Sequence, residues 1–102
     1  DQLISKGKMV ILLTPTPSIH SNEYYPNRIY HTNEVVEILY DIADSRKILL
    51  VNNYKYIMEY LAKNQLMIDD VIYGEGCVND GLHPSDYVQK LIFQNLIETL
   101  QI

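Results

Sequence analysis

The apolar residues of the chain fall into two patterns. Residues 8–14 and 47–52 each hold a short run of consecutive apolar side chains without polar alternation. Such runs are typical of strands that are buried on both faces of a parallel sheet. Three longer segments, residues 33–46, 54–63 and 85–100, instead repeat their apolar residues at helical spacing. Strands that alternate with helices in this way predict an α/β fold with a parallel sheet.

Each predicted helix has an apolar stripe and a residue that suits its first turn. Ser, Thr and Asn side chains accept hydrogen bonds from the free N–H groups at a helix start. The predicted caps are Thr32 or Asn33 for the first helix, Asn53 for the second and Ser85 for the third. The predicted core-facing residues are Val35, Ile38, Leu39, Ile42, Ile57, Tyr60, Leu61, Val88, Leu91, Ile92, Leu96 and Ile97.

Two loops separate these elements. Residues 15–31 are polar, and Pro15 and Pro17 end the first strand because proline cannot donate to a strand ladder. The length of this loop is near the upper limit for a compact domain, which favours a functional or interface role. Residues 64–79 are predicted to be irregular.

The predicted sheet is incomplete. Leu3 and Ile4 are followed by a basic residue and Gly7, a pattern that marks the end of a helix. We therefore expect the chain to open on the last turn of a longer helix. Two strands are too few for a stable sheet of this kind, so we also expect further strands N-terminal to them, in another segment or in another chain.

Composition narrows the classes of protein. At 102 residues the chain forms one domain at most, and 47% hydrophobic with 21% charged residues is ordinary for a globular protein. The net charge of -5 and the scattered Lys and Arg residues argue against nucleic acid as a partner. Cys77 is the only cysteine, so no internal disulfide forms, and no apolar run reaches the length of a membrane span. The cellular location stays open among the cytoplasm, the secreted space and a virion.

The candidate chemistry lies in the turn Asp80-Gly81-Leu82-His83-Pro84. A histidine that acts as a general base needs one ring nitrogen free and the other held by a carboxylate. The three-residue separation of Asp80 and His83 lets a turn bring their side chains together. Gly81 permits a left-handed backbone, and Pro84 keeps His83 out of a helix. The alternative is an ordinary structural turn with an incidental histidine, because Asp-Gly is a common turn dipeptide.

This turn, with Ser85 and the amphipathic helix after it, resembles the last conserved block of the SGNH (GDSL-type) hydrolase family. The apolar run of residues 8–14, the following Pro15-Thr16-Pro17, the helix at residues 33–46 and the strand at residues 47–52 resemble the order of elements in the C-terminal half of that family. The resemblance covers essentially the whole chain but only half of the family domain. It implies a three-layer α/β/α sandwich with a parallel, flavodoxin-like sheet, of which residues 1–102 form the C-terminal part.

The resemblance also implies roles for two residues. His83 would be the general base of a serine ester hydrolase and Asp80 the carboxylate that orients it. The family's nucleophilic serine lies in a Gly-Asp-Ser motif, and no such motif and no Gly-x-Asn-Asp block occur in this chain. We therefore expect an N-terminal segment of the same domain to carry the nucleophile, either in the same polypeptide or as a separate chain. This chain alone would be inactive, no cofactor or metal is expected, and the substrate would be an ester or an acetylated carbohydrate.

Other interpretations of the reactive residues have weaker support. Cys77 paired with His83 is a conceivable thiol nucleophile, but no motif supports the pair. His20, His31 and His83 lack any recognised metal-ligand spacing. The acidic residues Asp69, Asp70 and Glu75 are interpreted as solvated loop charges.

The second class of function is a non-catalytic carbohydrate-binding or structural module of a viral tail or cell-surface assembly. Tyr24, Tyr25 and Tyr30 lie in the polar loop and are available for a contact surface. The alternative for these tyrosines is that they cover the edges of the core.

Overall fold

The computed structural model describes residues 1–26, 28–77 and 79–101. Asn27 and Val78, which fall within the two predicted loops, and Ile102 lie outside the described residues. The described elements, in chain order, are α1 (Gln2–Ser5), β1 (Ile11–Leu13), α2 (His20–Glu23), α3 (Thr32–Arg46), β2 (Leu49–Val51), α4 (Asn53–Lys63), α5 (Ile68–Ile72) and α6 (Asp86–Leu100).

The two strands pair in parallel, and the register places Ile11 opposite Leu49 and Leu13 opposite Val51. Parallel strands need a crossover connection, and α3 supplies it. Val51 of β2 is fully buried. In β1, however, Ile11 and Leu12 are only partly buried and Leu13 is 49% exposed. The expectation that both strands are buried on both faces is therefore wrong for the described residues.

The predicted three-layer α/β/α sandwich with a flavodoxin-like sheet is also wrong. The described residues form six helices and a single two-stranded sheet, and about 55% of the chain is helical. The apolar runs of five residues in segment 8–14 and four in segment 47–52 suggested central strands. The two segments pair over only three residues, and a sheet of two such strands cannot separate two layers of helices.

The core of the protein lies among helices rather than on the sheet. Its buried members come from α4, α5 and α6: Ile57, Leu61, Val71, Val88 and Leu91. Tyr56, Tyr60, Leu66, Ile68 and Ile92 pack around them and remain partly exposed. The expected inward positions of α4 and of the first half of α6 are thus confirmed, because both helices bury the stripe that their spacing defines.

The residues that α3 buries differ from those predicted. Val36 and Ala43 are the buried apolar residues of α3, whereas Ile38 is exposed. Because α3 packs mainly on β2, it buries a narrow strip, and the wider stripe expected from the sequence is only partly buried.

The helix starts follow the predicted residues only in part. Ser85 precedes α6 and its Oγ accepts from the N–H of Val88, as predicted. Asn52, not Asn53, caps α4 by accepting from the N–H of Lys55 at 3.0 Å. His31 precedes α3, and its N–H donates to the Glu34 carboxylate at 3.4 Å. Asn53 is instead buried, and its amide donates to the Thr14 carbonyl at 3.5 Å.

Residues 64–79 contain the short helix α5, which the sequence did not predict. Among the described residues, every helix falls short of the length and apolar character that a bilayer crossing requires.

The helical core predicts where stability resides. Ile57→Ala removes a side chain with no exposure and should lower the free energy of unfolding by about 2–5 kcal/mol, measured by urea denaturation. Phe93→Ala is the control, because this aromatic side chain of α6 is largely exposed and its loss should change stability by about 0.5 kcal/mol or less. Similar losses for the two variants would contradict this assignment of the core.

Candidate functional site

The turn of residues 80–84, which precedes α6, has a backbone conformation that suits the glycine at its second position. Gly81 has φ of +67°, in the left-handed region that favours glycine. A Cβ at this position would lie 2.4 Å from Cδ1 of Ile19, so the close approach of the two loops also requires glycine. The turn therefore packs closely against Ile19, in the segment that follows β1.

The Asp80 carboxylate organises this turn. Its Oδ1 accepts from the backbone N–H groups of Leu82 and His83, both at 2.9 Å. Its Oδ2 contacts Nδ1 of the His83 imidazole directly. The structure thus brings together the two residues that the sequence singled out. With Nδ1 directed at the carboxylate, Nε2 is the ring nitrogen left to accept a proton.

The electrostatics of the pair favour a charged carboxylate. The backbone N–H of His83, then its imidazole, then the backbone N–H of Leu82 lower the pKa of Asp80 to about 2. The side chain of Asp80 is 36% exposed and that of His83 is 67% exposed. Solvent therefore screens the attraction, and the hydrogen bonds rather than the charge define the geometry.

The C-terminal side of the turn is anchored in the core. The fully buried Ser85 hydroxyl donates to the Val71 carbonyl at 2.5 Å and accepts from the N–H of Val88. The N–H of Asp86 donates to the carbonyl of Glu75 at 2.8 Å. These bonds fix the first residues of α6. His83 lies two residues before Ser85, the residue that they anchor.

The N-terminal side of the turn is held by the loop after β1. The N–H of Ile19 donates to the Gly81 carbonyl at 3.0 Å, and the side-chain amide of Asn22 donates to the Asp80 carbonyl at 2.8 Å. The candidate site therefore lies beside the chain that leaves the carboxyl end of β1.

No serine hydroxyl of the described residues forms a hydrogen bond with His83. No hydrogen bond within residues 1–26, 28–77 and 79–101 joins His83 to a hydroxyl. Ser5, Ser45 and Ser85 donate to backbone carbonyls, and Ser18 is buried and donates to Glu23 at 2.9 Å. Among the described residues, the hydrogen-bond partner of the His83 ring is therefore the Asp80 carboxylate and not a hydroxyl.

The structure gives no support to the thiol pair or to a histidine metal site. The Cys77 thiol is half-buried and donates to the Asn79 side chain at 3.1 Å rather than meeting His83. His20 and His31 instead flank Tyr24, with ring centroids 4.5 and 5.1 Å from it. In the described ranges, no three His, Cys, Asp or Glu side chains converge as metal ligands would. Two of the three acids interpreted as loop charges, Asp69 and Asp70, instead lie in the first turn of α5.

The three tyrosines of the loop after β1 are exposed. Tyr24, Tyr25 and Tyr30 each keep more than half of their surface open to solvent. A groove of about 210 Å³ runs past Tyr24 and is lined by Ser18, His20, Glu23 and Tyr54, among others. His83 does not line this groove.

A polar cluster centred on Glu23, in the loop after β1, is not predicted by the sequence. Burial raises the pKa of Glu23, but hydrogen bonds from the backbone and hydroxyls of Ser18 and Thr32 outweigh it and leave the pKa lowered. Arg28 lies 3.6 Å from the same carboxylate. Ser18, Glu23 and Thr32 are spread over fifteen residues of a polar loop, where no periodic spacing signals that they meet.

Comparison with models of protein families, with curated proteins and with solved structures finds no match to this chain. The resemblance to SGNH hydrolases therefore rests on the residues of the turn and on the order of the strands and helices in the sequence.

The lowered pKa of Asp80 makes the stability of the turn depend on pH. A carboxylate whose pKa falls on folding stabilises the protein above its ordinary pKa, and that contribution disappears as the pH falls through the folded value. Wild-type protein should therefore lose stability relative to Asp80→Asn as the pH falls from 3.8 to about 2, measured by urea unfolding.

Asp69→Asn serves as the control, since it removes an exposed carboxylate of α5 that lies outside the pair. A parallel pH dependence for wild type and Asp80→Asn would show that the Asp80 contacts do not persist in solution.

Proposed function

We propose that Asp80 and His83 are the orienting acid and the general base of a serine ester hydrolase, and that this chain supplies the C-terminal segment of the enzyme. The observation that carries the proposal is the contact between the Asp80 carboxylate and Nδ1 of His83. That contact fixes one imidazole tautomer, and the exposed ring leaves Nε2 open to a substrate-bearing surface.

The chemistry requires a nucleophilic hydroxyl from outside the residues described. Nε2 of His83 would take the proton of that hydroxyl as its oxygen attacks the ester carbonyl. The imidazolium would then give this proton to the departing alcohol, and water would release the acyl group by the same route in reverse. Asp80 stays ionised throughout and stabilises the imidazolium.

The exposure of His83 is consistent with a site that is completed by another segment. A general base works best in a pocket from which water is excluded, and this ring is two-thirds exposed. We propose that an N-terminal segment, as part of the same polypeptide or as a separate chain, covers the ring and carries the serine. The substrate class is an ester or an acetylated carbohydrate.

A second candidate function is a non-catalytic carbohydrate-binding or structural module. The exposed Tyr24, Tyr25 and Tyr30 and the contact of Tyr24 with two histidine rings favour it. Flat aromatic faces beside polar groups suit the apolar faces of sugar rings. In this case the Asp80–His83 pair would serve only to fix the turn.

Ester hydrolysis by the full-length protein, with any segment that precedes this chain, tests the two candidates. His83→Ala should lower kcat/KM about 1,000-fold or more, and Asp80→Asn by about 100-fold or more, because a base without its carboxylate loses the correct tautomer. His20→Ala is the matched control, since it removes an exposed histidine without a carboxylate partner.

An alkyl acetate should be used beside p-nitrophenyl acetate, because any exposed imidazole attacks the activated ester. Equal rates of alkyl acetate hydrolysis for wild type and His83→Ala would exclude the catalytic role. Saccharide binding that is lost in Tyr24→Ala, without any hydrolysis, would identify the binding module instead.

A further inference from the structure

The turn that holds His83 is poorly supported by apolar packing. Asp80, Leu82 and His83 are all exposed, so burial does little to fix them. Hydrogen bonds within the turn, and others from the loop that follows β1, hold these residues instead. Two of these bonds reach consecutive carbonyls of the turn, from Asn22 to Asp80 and from Ile19 to Gly81.

The donors of these two bonds are themselves fixed by a polar network centred on Glu23. The Glu23 carboxylate accepts from the N–H and hydroxyl of Ser18 at 2.9 Å each, and from the hydroxyl of Thr32 at 2.9 Å. Ser18 and Thr32 are buried, and Thr32 begins α3. The network therefore ties both ends of the α2 segment to a long helix.

Arg28 completes the connection to Asn22. Its Nη1 donates to the Asn22 backbone carbonyl at 3.1 Å, and its Nη2 donates to the Thr32 hydroxyl at 2.7 Å. The backbone carbonyl of Asn22 is thus hydrogen-bonded to the network, and its side-chain amide donates to the Asp80 carbonyl. A continuous chain of hydrogen bonds runs from the start of α3 to the candidate site.

We propose that Asn22 is a positioning residue for the Asp80–His83 pair and that the network of Ser18, Glu23, Arg28 and Thr32 sets its place. Asn22 touches neither the imidazole nor the carboxylate of the pair. It acts by holding the peptide group between Asp80 and Gly81, which directs the Asp80 side chain toward His83. The catalytic consequence of this role rests on the proposed function, but the positioning itself does not.

The geometry of the pair can be measured without any activity. Asn22→Ala should raise the pKa of Asp80 from about 2 toward its ordinary 3.8, as followed by NMR of the carboxyl carbon. It should also weaken the preference of His83 for the tautomer with the proton on Nδ1. Asn22→Gln keeps a donor amide and should restore part of both properties.

Asn64→Ala is the matched control. The side chain of Asn64 donates to the Tyr60 carbonyl at 2.8 Å, also a bond from a side-chain amide to a backbone carbonyl, but within α4 and outside the turn. This variant should leave the titration of Asp80 unchanged. If Asn22→Ala also leaves that titration and the His83 tautomer unchanged, the positioning role is overturned.

Kinetics of the full-length protein separate this inference from the proposed function. If His83→Ala abolishes alkyl acetate hydrolysis, Asn22→Ala should lower kcat about tenfold with little change in KM. A wild-type kcat for Asn22→Ala in that setting would overturn the positioning role and leave the proposed function intact. If His83→Ala has no kinetic effect, the proposed function fails and the NMR result alone decides the role of Asn22.

Discussion

The buried hydroxyl of Ser85 joins the packing of the helices to the geometry of the candidate site. It donates to the last turn of α5 and accepts from the first turn of α6, so two of the three helices that form the core meet at this one atom. Helix caps of this kind contribute about 1 kcal/mol, and an unpartnered buried carbonyl costs a similar amount or more. The direction in which α6 leaves the turn, and hence the place of His83, depends on this contact.

Around that fixed point the site combines a strongly ordered carboxylate with an open imidazole. The Asp80 carboxylate makes three polar contacts, whereas in the described part of the chain the His83 ring is bonded only through Nδ1. A general base benefits from this asymmetry, because the carboxylate must keep one orientation while the free nitrogen meets changing partners. The same asymmetry is compatible with a turn that is rigid for structural reasons, which is why the kinetic comparison decides between the candidates.

The parts of the structure that depend on neighbouring residues were predictable from the sequence. The helices α3, α4 and α6 have a clear apolar period over eleven to fifteen residues, and Asp80 meets His83 within one turn. The helix α5 was missed because five residues are too few to show a period. The support from Asn22 was missed because that bond spans 58 residues of sequence, and no local pattern encodes it.

The fold class failed for a related reason. A continuous apolar run signals that a segment avoids water, but it does not say how many neighbours the segment has. In the described residues each strand has one partner, and the helices α4, α5 and α6 rather than the sheet bury the largest cluster. The sequence could therefore indicate the strands and not the architecture around them.

The brevity of β1 has a consequence for how the molecule behaves in solution. A strand with a free side offers unpaired N–H and C=O groups on which foreign strands can add, the first step toward ordered aggregates. Here three paired residues are followed almost at once by Pro15 and Pro17, which cannot donate, and are preceded by the charge of Lys8. These flanking residues limit the length of β1 over which another strand could pair with it.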